Sequence, residues 1–376
     1  IDNEVGLQLF GSELPEAENP VIAAKRSITE PAVTLTGIPA LPQVEANTWA
    51  QITNTADAYN SPGEFTAFIG WEWSSIPGGA NLHRIVITDS NAGVAQQYQP
   101  YSFLNSSFPE DLWQWLDATS ASTGADFISI PHNSNLSKGY MFATRQLSGE
   151  AMTAAYASKR AKWEPIVEAT QIKGDSETHP DLSPDDEFAD FEQFDFYLQA
   201  FPQGKGYQVQ RGDMIRTALQ DGLAMEQKLG QNPFQFGLIG STDSHSGMAS
   251  AEEPNFWGKV STDSIPENKR PDDPDGYGDG KQSFNGWNMQ AGGLAAVWAD
   301  GNDRQSIIAA MQRRETYATT GPRIQLRLFA GWDFEEDDLT SPDYVQRGYQ
   351  RGVPMGGELS TAPAGAAPRF MVMAAR

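Results

Sequence analysis

The chain has no cysteine, which removes disulfides, thiolate metal sites and thiol nucleophiles together. Any transition metal must then be held by histidine, aspartate or glutamate. Histidine is itself scarce, with four in 376 residues, and basic residues are outnumbered, 26 against 49 acidic ones. The formal charge of −23 and the pI near 4.4 repel nucleic acid and anionic membrane surfaces. No apolar run approaches the ~20 residues that span a bilayer, so no membrane insertion is expected. Glycine-rich phosphate loops, nucleophile elbows and HExxH helices are also missing. Nothing marks a Ser-His-Asp triad, and with 49 carboxylates an acid pair for glycoside cleavage carries no information. An acidic, cysteine-free chain mildly favours the periplasm or the outside of a bacterium.

What is present suffices for a core, since 39% of the residues are hydrophobic. Residues 1–60 are rich in Pro, Glu, Asn and Thr, with a short helix over Thr48 to Tyr59, and read as an irregular connecting segment. Glu64 to Gly70 reads as a strand delivering Trp71, Glu72 and Trp73. His83 leads a second strand, Arg84 to Thr88, close enough to pair with the first as a hairpin. Ser107 to Ala118 has helical spacing, and Asp126 to Ile130 is a strand ending in Pro131-His132-Asn133. A helix over Met152 to Trp163 precedes the strand Ile166 to Thr170, which carries Glu168. Asp213 to Leu229 places Ile215, Leu219 and Leu223 on one helical face, with Gly230 as its cap.

Phe236 to Gly240 is a glycine-bounded apolar run that releases Asp243, one spacer and His245, a pair suited to zinc, manganese or iron. Asn255 to Asn288 reads as an excursion forming a lid or rim. Gly293 to Trp298 is a strand, Asn302 caps a helix over Asp303 to Arg313, and Arg323 to Phe329 alternates as a strand with one polar face. Strand, loop and helix recur from residue 64 to 313, which predicts an α/β barrel or a doubly wound sheet. Glu72, His132, and Asp243 with His245 fall just past the ends of separate strands, and a barrel gathers such ends at one mouth.

Taken as a set, Glu72, His83, His132, Asp243 and His245 are candidate metal ligands, with Glu72 able to bridge two ions through its two oxygens. His179, alone in an acidic loop, reads as structural. Glu168 is either an outer partner orienting a histidine ligand or a strand residue paired with a basic group. Lys173 is either a solvated charge or a contact for an anionic substrate. Arg84, Trp71 and Trp73 fall on the opposite strand face from the ligands and read as core. Asp243 and Glu168 are the candidate proton-accepting groups.

The segments Phe68-Ile-Gly-Trp-Glu-Trp, Asn81-Leu-His-Arg, Pro131-His-Asn, Gln171-Ile-Lys-Gly-Asp-Ser-Glu-Thr-His-Pro, Ser241-Thr-Asp-Ser-His-Ser-Gly and Arg314-Glu-Thr-Tyr-Ala-Thr-Thr-Gly-Pro-Arg-Ile together resemble a known family. It is the uncharacterised bacterial family "domain of unknown function thirty-six-oh-four", itself similar to the PHP (polymerase and histidinol phosphatase) metal-dependent phosphoesterases. The resemblance covers about residues 60 to 330. It implies a distorted seven-stranded β/α barrel over 61–330 with two or three divalent metals at its mouth. Glu72 then matches the bridging carboxylate, and His83, His132, Asp243 and His245 match later ligands. PHP-like proteins also carry a His-x-His and an Asp-His before that glutamate; neither is in this chain, which resembles a member lacking its first two strands. Residues 331–376 would begin a C-terminal β segment.

The activity implied is metal-dependent hydrolysis of phosphate mono- or diesters, with a small anionic substrate. Two alternatives stand beside it: amidohydrolase-like cleavage of C–N or carboxylic ester bonds, and a non-catalytic metal-binding or scaffold protein with an incomplete site.

Overall fold

The computed structural model describes residues 41–197, 207–245, 247, 249, 251–259 and 289–376. Residues 1–40 of the expected connecting segment, and 260–288 of the expected lid or rim, lie outside the described residues. The first described element is a 19-residue helix, α1 (Leu41–Tyr59), longer than the sequence pattern suggests. It is no loose connection: Trp49 is buried and donates its indole N–H to the Ala95 carbonyl at 2.8 Å. Its inward positions are Trp49, Thr53 and Ala56, one large residue and two small ones, which explains the weak apolar periodicity.

β1 (Ile69–Trp73) begins later than expected, because residues 61–65 fold into a turn closed by a Ser61–Phe65 bridge. Glu72 therefore sits inside a strand. β1 pairs antiparallel with β2 (Arg84–Thr88), which pairs antiparallel with β3 (Phe127–Pro131), so the predicted hairpin continues into a three-stranded meander. Between β2 and β3 come a helical turn, α2 (Ala92–Ala95), and α3 (Pro109–Thr123), which ends on Gly124 in the left-handed conformation (φ 76°). One face of the meander packs Ile69, Trp71, Trp73, Val86 and Phe127 against α1 and α3. The other turns Ile85, Ile87, Ile128 and Ile130 toward a second core with Ile166 and Ile239.

α4 (Ala154–Trp163), capped by the Thr153 hydroxyl, leads into the fully buried β4 (Ile166–Gln171). β4 pairs antiparallel with the two-residue β5 (Gly174–Asp175) and parallel with β6 (Gly237–Gly240). Between them α5 (Ile215–Leu229) buries Ile215, Ala218, Gly222 and Met225, while Leu219 and Leu223 are exposed. That reverses the expected face for Leu219 and Leu223, and Gly222 shows why: a Cβ there would lie 2.3 Å from Asn232 Oδ1. Close backbone approach selects the small residues for the buried side.

β7 (Leu294–Val297) pairs with β8 (Thr316–Thr319) around α6 (Arg304–Gln312), which Asp303, not Asn302, caps through the Ser306 N–H. β3 lies beside β4, and β6 beside β7 and β8. The chain ends in β9 (Gln325–Gly331), two short helices, α7 (Glu336–Thr340) and α8 (Tyr344–Arg351), β10 (Gly352–Pro354) and β11 (Arg369–Ala375). β11 pairs with β9 along its whole length, in the order β10-β9-β11. Among the described residues no helix is long and apolar enough to cross a membrane.

Candidate metal centre

The register of the meander assembles the site. Trp73, Arg84 and Pro131 stand opposite one another at one end of the sheet. Glu72 is one residue before that line, His83 one before Arg84, and His132 one after Pro131. Because side chains alternate, Glu72, the residue two before Ile85 and the residue two after Ile130 all project from the same face. Glu72, His83 and His132 are those residues. The same alternation sends Arg84 and Trp73 the other way, into the core, as the sequence suggests.

Their donor atoms lie within 4.8 Å of one another. Glu72 Oε1 is 2.8 Å from His83 Nδ1 and 3.0 Å from His132 Nε2, so one carboxylate oxygen meets both imidazoles. The rings themselves meet edge to face, with centroids 5.5 Å apart. Burial opposes the charge on Glu72, but the hydrogen bonds from His132 and His83 outweigh it and hold the carboxyl far below the usual range. Burial pushes His83 the other way, below the ordinary histidine value, and its bond to Glu72 only partly offsets this. Both nitrogens that face Glu72 must carry a proton in this arrangement. The opposite nitrogens, His83 Nε2 and His132 Nδ1, are buried without a hydrogen-bond partner. A divalent cation among the three inner atoms would replace the two shared protons. The oxygen–nitrogen–nitrogen donor set suits zinc, manganese or iron, so the residues present fit such an ion.

Asp243 and His245 lie beside this cluster rather than in it. Asp243, with a left-handed backbone (φ 48°), directs Oδ2 at two ammonium groups: Lys173 in direct contact and Lys259 at 2.9 Å. His245 is half-exposed; its Nδ1 is 2.7 Å from the Asp243 carbonyl and 3.0 Å from Lys259 Nζ. Burial, then the positive charges of Lys259 and Lys173, push its imidazole down to about 4. The charge of Glu72 works against this shift.

A profile of the family described as proteins of unknown function, DUF3604, matches residues 11–376. The chain belongs to that family. No curated protein and no solved structure matches it.

In this DUF3604 chain a buried polar network joins the two clusters. Glu168 Oε1 accepts from the Asn133 N–H at 3.1 Å, and Oε2 accepts from the Ser241 hydroxyl. Gln171 donates to Asn133 Oδ1 at 2.8 Å and accepts from the Lys173 N–H at 2.7 Å. Asn135 donates to the Lys173 carbonyl at 2.9 Å. Gly174 follows with φ 94°, and a Cβ there would meet Phe194 Cβ at 2.6 Å, so only glycine makes this turn. Sequence reasoning singled out neither Asn133, Asn135, Gln171 nor Lys259. Asn133 carried the one available signal, since asparagine after a strand-end histidine suits the left-handed backbone it adopts (φ 51°). His179 stays in its acidic loop near Asp181 and Asp195, at 3.8 and 3.6 Å.

Proposed function

We propose that the chain is a metal-dependent hydrolase of phosphate esters, with Glu72, His83 and His132 as the metal-holding part of its site. The observation that carries this reading is their convergence: three potential ligands from three strand ends, one oxygen and two nitrogens, within 4.8 Å. The similarity of the motif order, Glu72 to His245, to that of PHP phosphoesterases supports it. In the same reading these sheets belong to a distorted seven-stranded β/α barrel lacking its first two strands, for which the parallel β4–β6 pair and the placement of β3 beside β4 are the support.

A divalent metal held there supplies Lewis acidity, which acidifies water and polarises an ester oxygen. The chain's own residues do the rest. Glu72 gives the anionic ligand, and the partly buried ring of His83 and the buried ring of His132 give the neutral ones. Glu168 fixes the turn that carries His132, and Lys173 with Lys259 offers positive charge to an anionic substrate. Asp243 Oδ2 is taken up by the two lysines, which leaves Oδ1 as the oxygen available to accept a proton.

A second reading, a metal-binding scaffold without turnover, is favoured by the small ligand set: Asp243 and His245 stand outside the triad. Elemental analysis of the purified chain, combined with hydrolysis of p-nitrophenyl phosphate, its diester and the corresponding acetate, separates these. The expected outcome is bound metal that Glu72→Gln releases, its affinity falling by more than about 100-fold, with phosphate ester cleavage abolished by chelation. Metal without turnover selects the scaffold, and preference for the acetate selects an amidohydrolase-like reaction. A wild-type chain that takes up no metal overturns the reading.

A further inference from the structure

Asp243 was expected to be a metal ligand, and the structure gives its carboxylate a different cation. Lys173 Nζ contacts Oδ2 directly, and Lys259 Nζ lies 2.9 Å from the same oxygen. The Lys173 side chain is 5% exposed and that of Asp243 15%. Burial, then the charge of Lys259, holds the Lys173 amine well below its ordinary range, so its ammonium form depends on the Asp243 carboxylate it contacts.

Nor is Lys173 free to withdraw. Its N–H is held by Gln171 Oε1 at 2.7 Å and its carbonyl by Asn135 Nδ2 at 2.9 Å. On its other side the chain turns through Gly174, where no side chain fits. Gln171 in turn grips Asn133, the neighbour of His132, so the ammonium is built into the scaffold that holds the triad.

We propose that the Lys173 ammonium stands in for a second divalent cation, so that the chain takes one metal at Glu72, His83 and His132 and presents Lys173 as its other positive centre. This rests on the metal-holding reading of the triad. The two cations then divide the work. An ammonium donates hydrogen bonds and neutralises an oxyanion, but it offers no Lewis-acid position for water, so Lys173 serves as a contact for an ester's anionic oxygen. Asp243 becomes the group that holds Lys173 in place instead of a metal ligand.

The test is metal stoichiometry, by elemental analysis and by calorimetric titration with zinc or manganese, on the wild type, Glu72→Gln, Asp243→Asn and Lys173→Met. One metal per chain is expected in the wild type and in D243N, none in E72Q, and a second, weaker one in K173M, where Asp243 keeps Lys259 as its one remaining ammonium partner. Two or more metals in the wild type, or loss of the metal in D243N, overturns this inference and leaves the triad reading standing. So does a folded K173M that still takes a single metal. No metal in the wild type overturns the triad reading, and this inference with it. Should K173M fail to fold, as judged by circular dichroism, the wild type and D243N decide alone.

Discussion

Glu168 reaches His132 without touching it. Its Oε1 accepts the N–H of Asn133, the residue whose left-handed backbone turns the chain directly after His132, and its Oε2 takes the Ser241 hydroxyl. Its hydrogen bonds go to the backbone beside His132 and to Ser241, while its charge also acts on the Lys173 amine, so both roles open from the sequence stay in play. Glu168→Ala leaves the buried Asn133 N–H without an acceptor, which costs about 1–3 kcal/mol. With its turn unpinned, His132 should hold metal about 10- to 100-fold more weakly. Urea denaturation of the metal-free chain reads the first effect, and zinc titration reads the second. An E168A chain with wild-type metal affinity would show that the turn holds itself.

Elements carry the next level of order, because the triad is a consequence of strand register. Two antiparallel pairings bring the end of β1, the start of β2 and the end of β3 to one edge, and alternation aims Glu72, His83 and His132 the same way. The far face of that meander is pinned to its helices by a buried ionic group. Glu164, 2% exposed and just beyond α4, accepts from Arg84 Nε of β2 at 2.9 Å and from Trp113 of α3 at 3.0 Å, and lies 3.1 Å from Arg160 Nε. Removing its carboxylate strands two buried guanidinium groups, so Glu164→Ala should cost about 3–5 kcal/mol. The melting temperature of the metal-free chain is the measurement; a shift of under a degree or two would mean that the arginines find other acceptors. Legibility follows the same logic. Glu72, His83 and His132 were readable because they lie in or next to strands, where a period of two fixes direction. Asp243 and His245 lie three and five residues past β6, in an irregular loop where spacing no longer says which way a side chain points. Nor could sequence foresee α1 docking through a single large side chain, or Gly222 turning α5 so that Leu219 and Leu223 face water.

For the whole molecule the governing quantity is the charge of −23, which acts in opposite directions on the two ligands assigned to one site. Under the proposed function, a divalent cation is drawn in by that field, whereas an anionic ester must approach against it and, among the described residues around Asp243, meets positive charge at Lys173 and Lys259. Salt shortens the reach of the field from about 30 Å at 0.01 M to about 8 Å at 0.15 M, while contacts inside the site are screened far less. Raising ionic strength across that range should therefore slow metal association, by about tenfold if steering is strong. The same change should raise kcat/KM for a phosphate diester, with kcat nearly unaffected. Stopped-flow zinc uptake and steady-state kinetics measure the two independently. If both fall with salt, the local field at the mouth is positive enough to override the rest of the surface. In that case the long-range partner of the anionic substrate is the lysine pair around Asp243, and charge-neutral substitution of Lys259 should abolish the salt dependence of kcat/KM while leaving that of metal uptake in place.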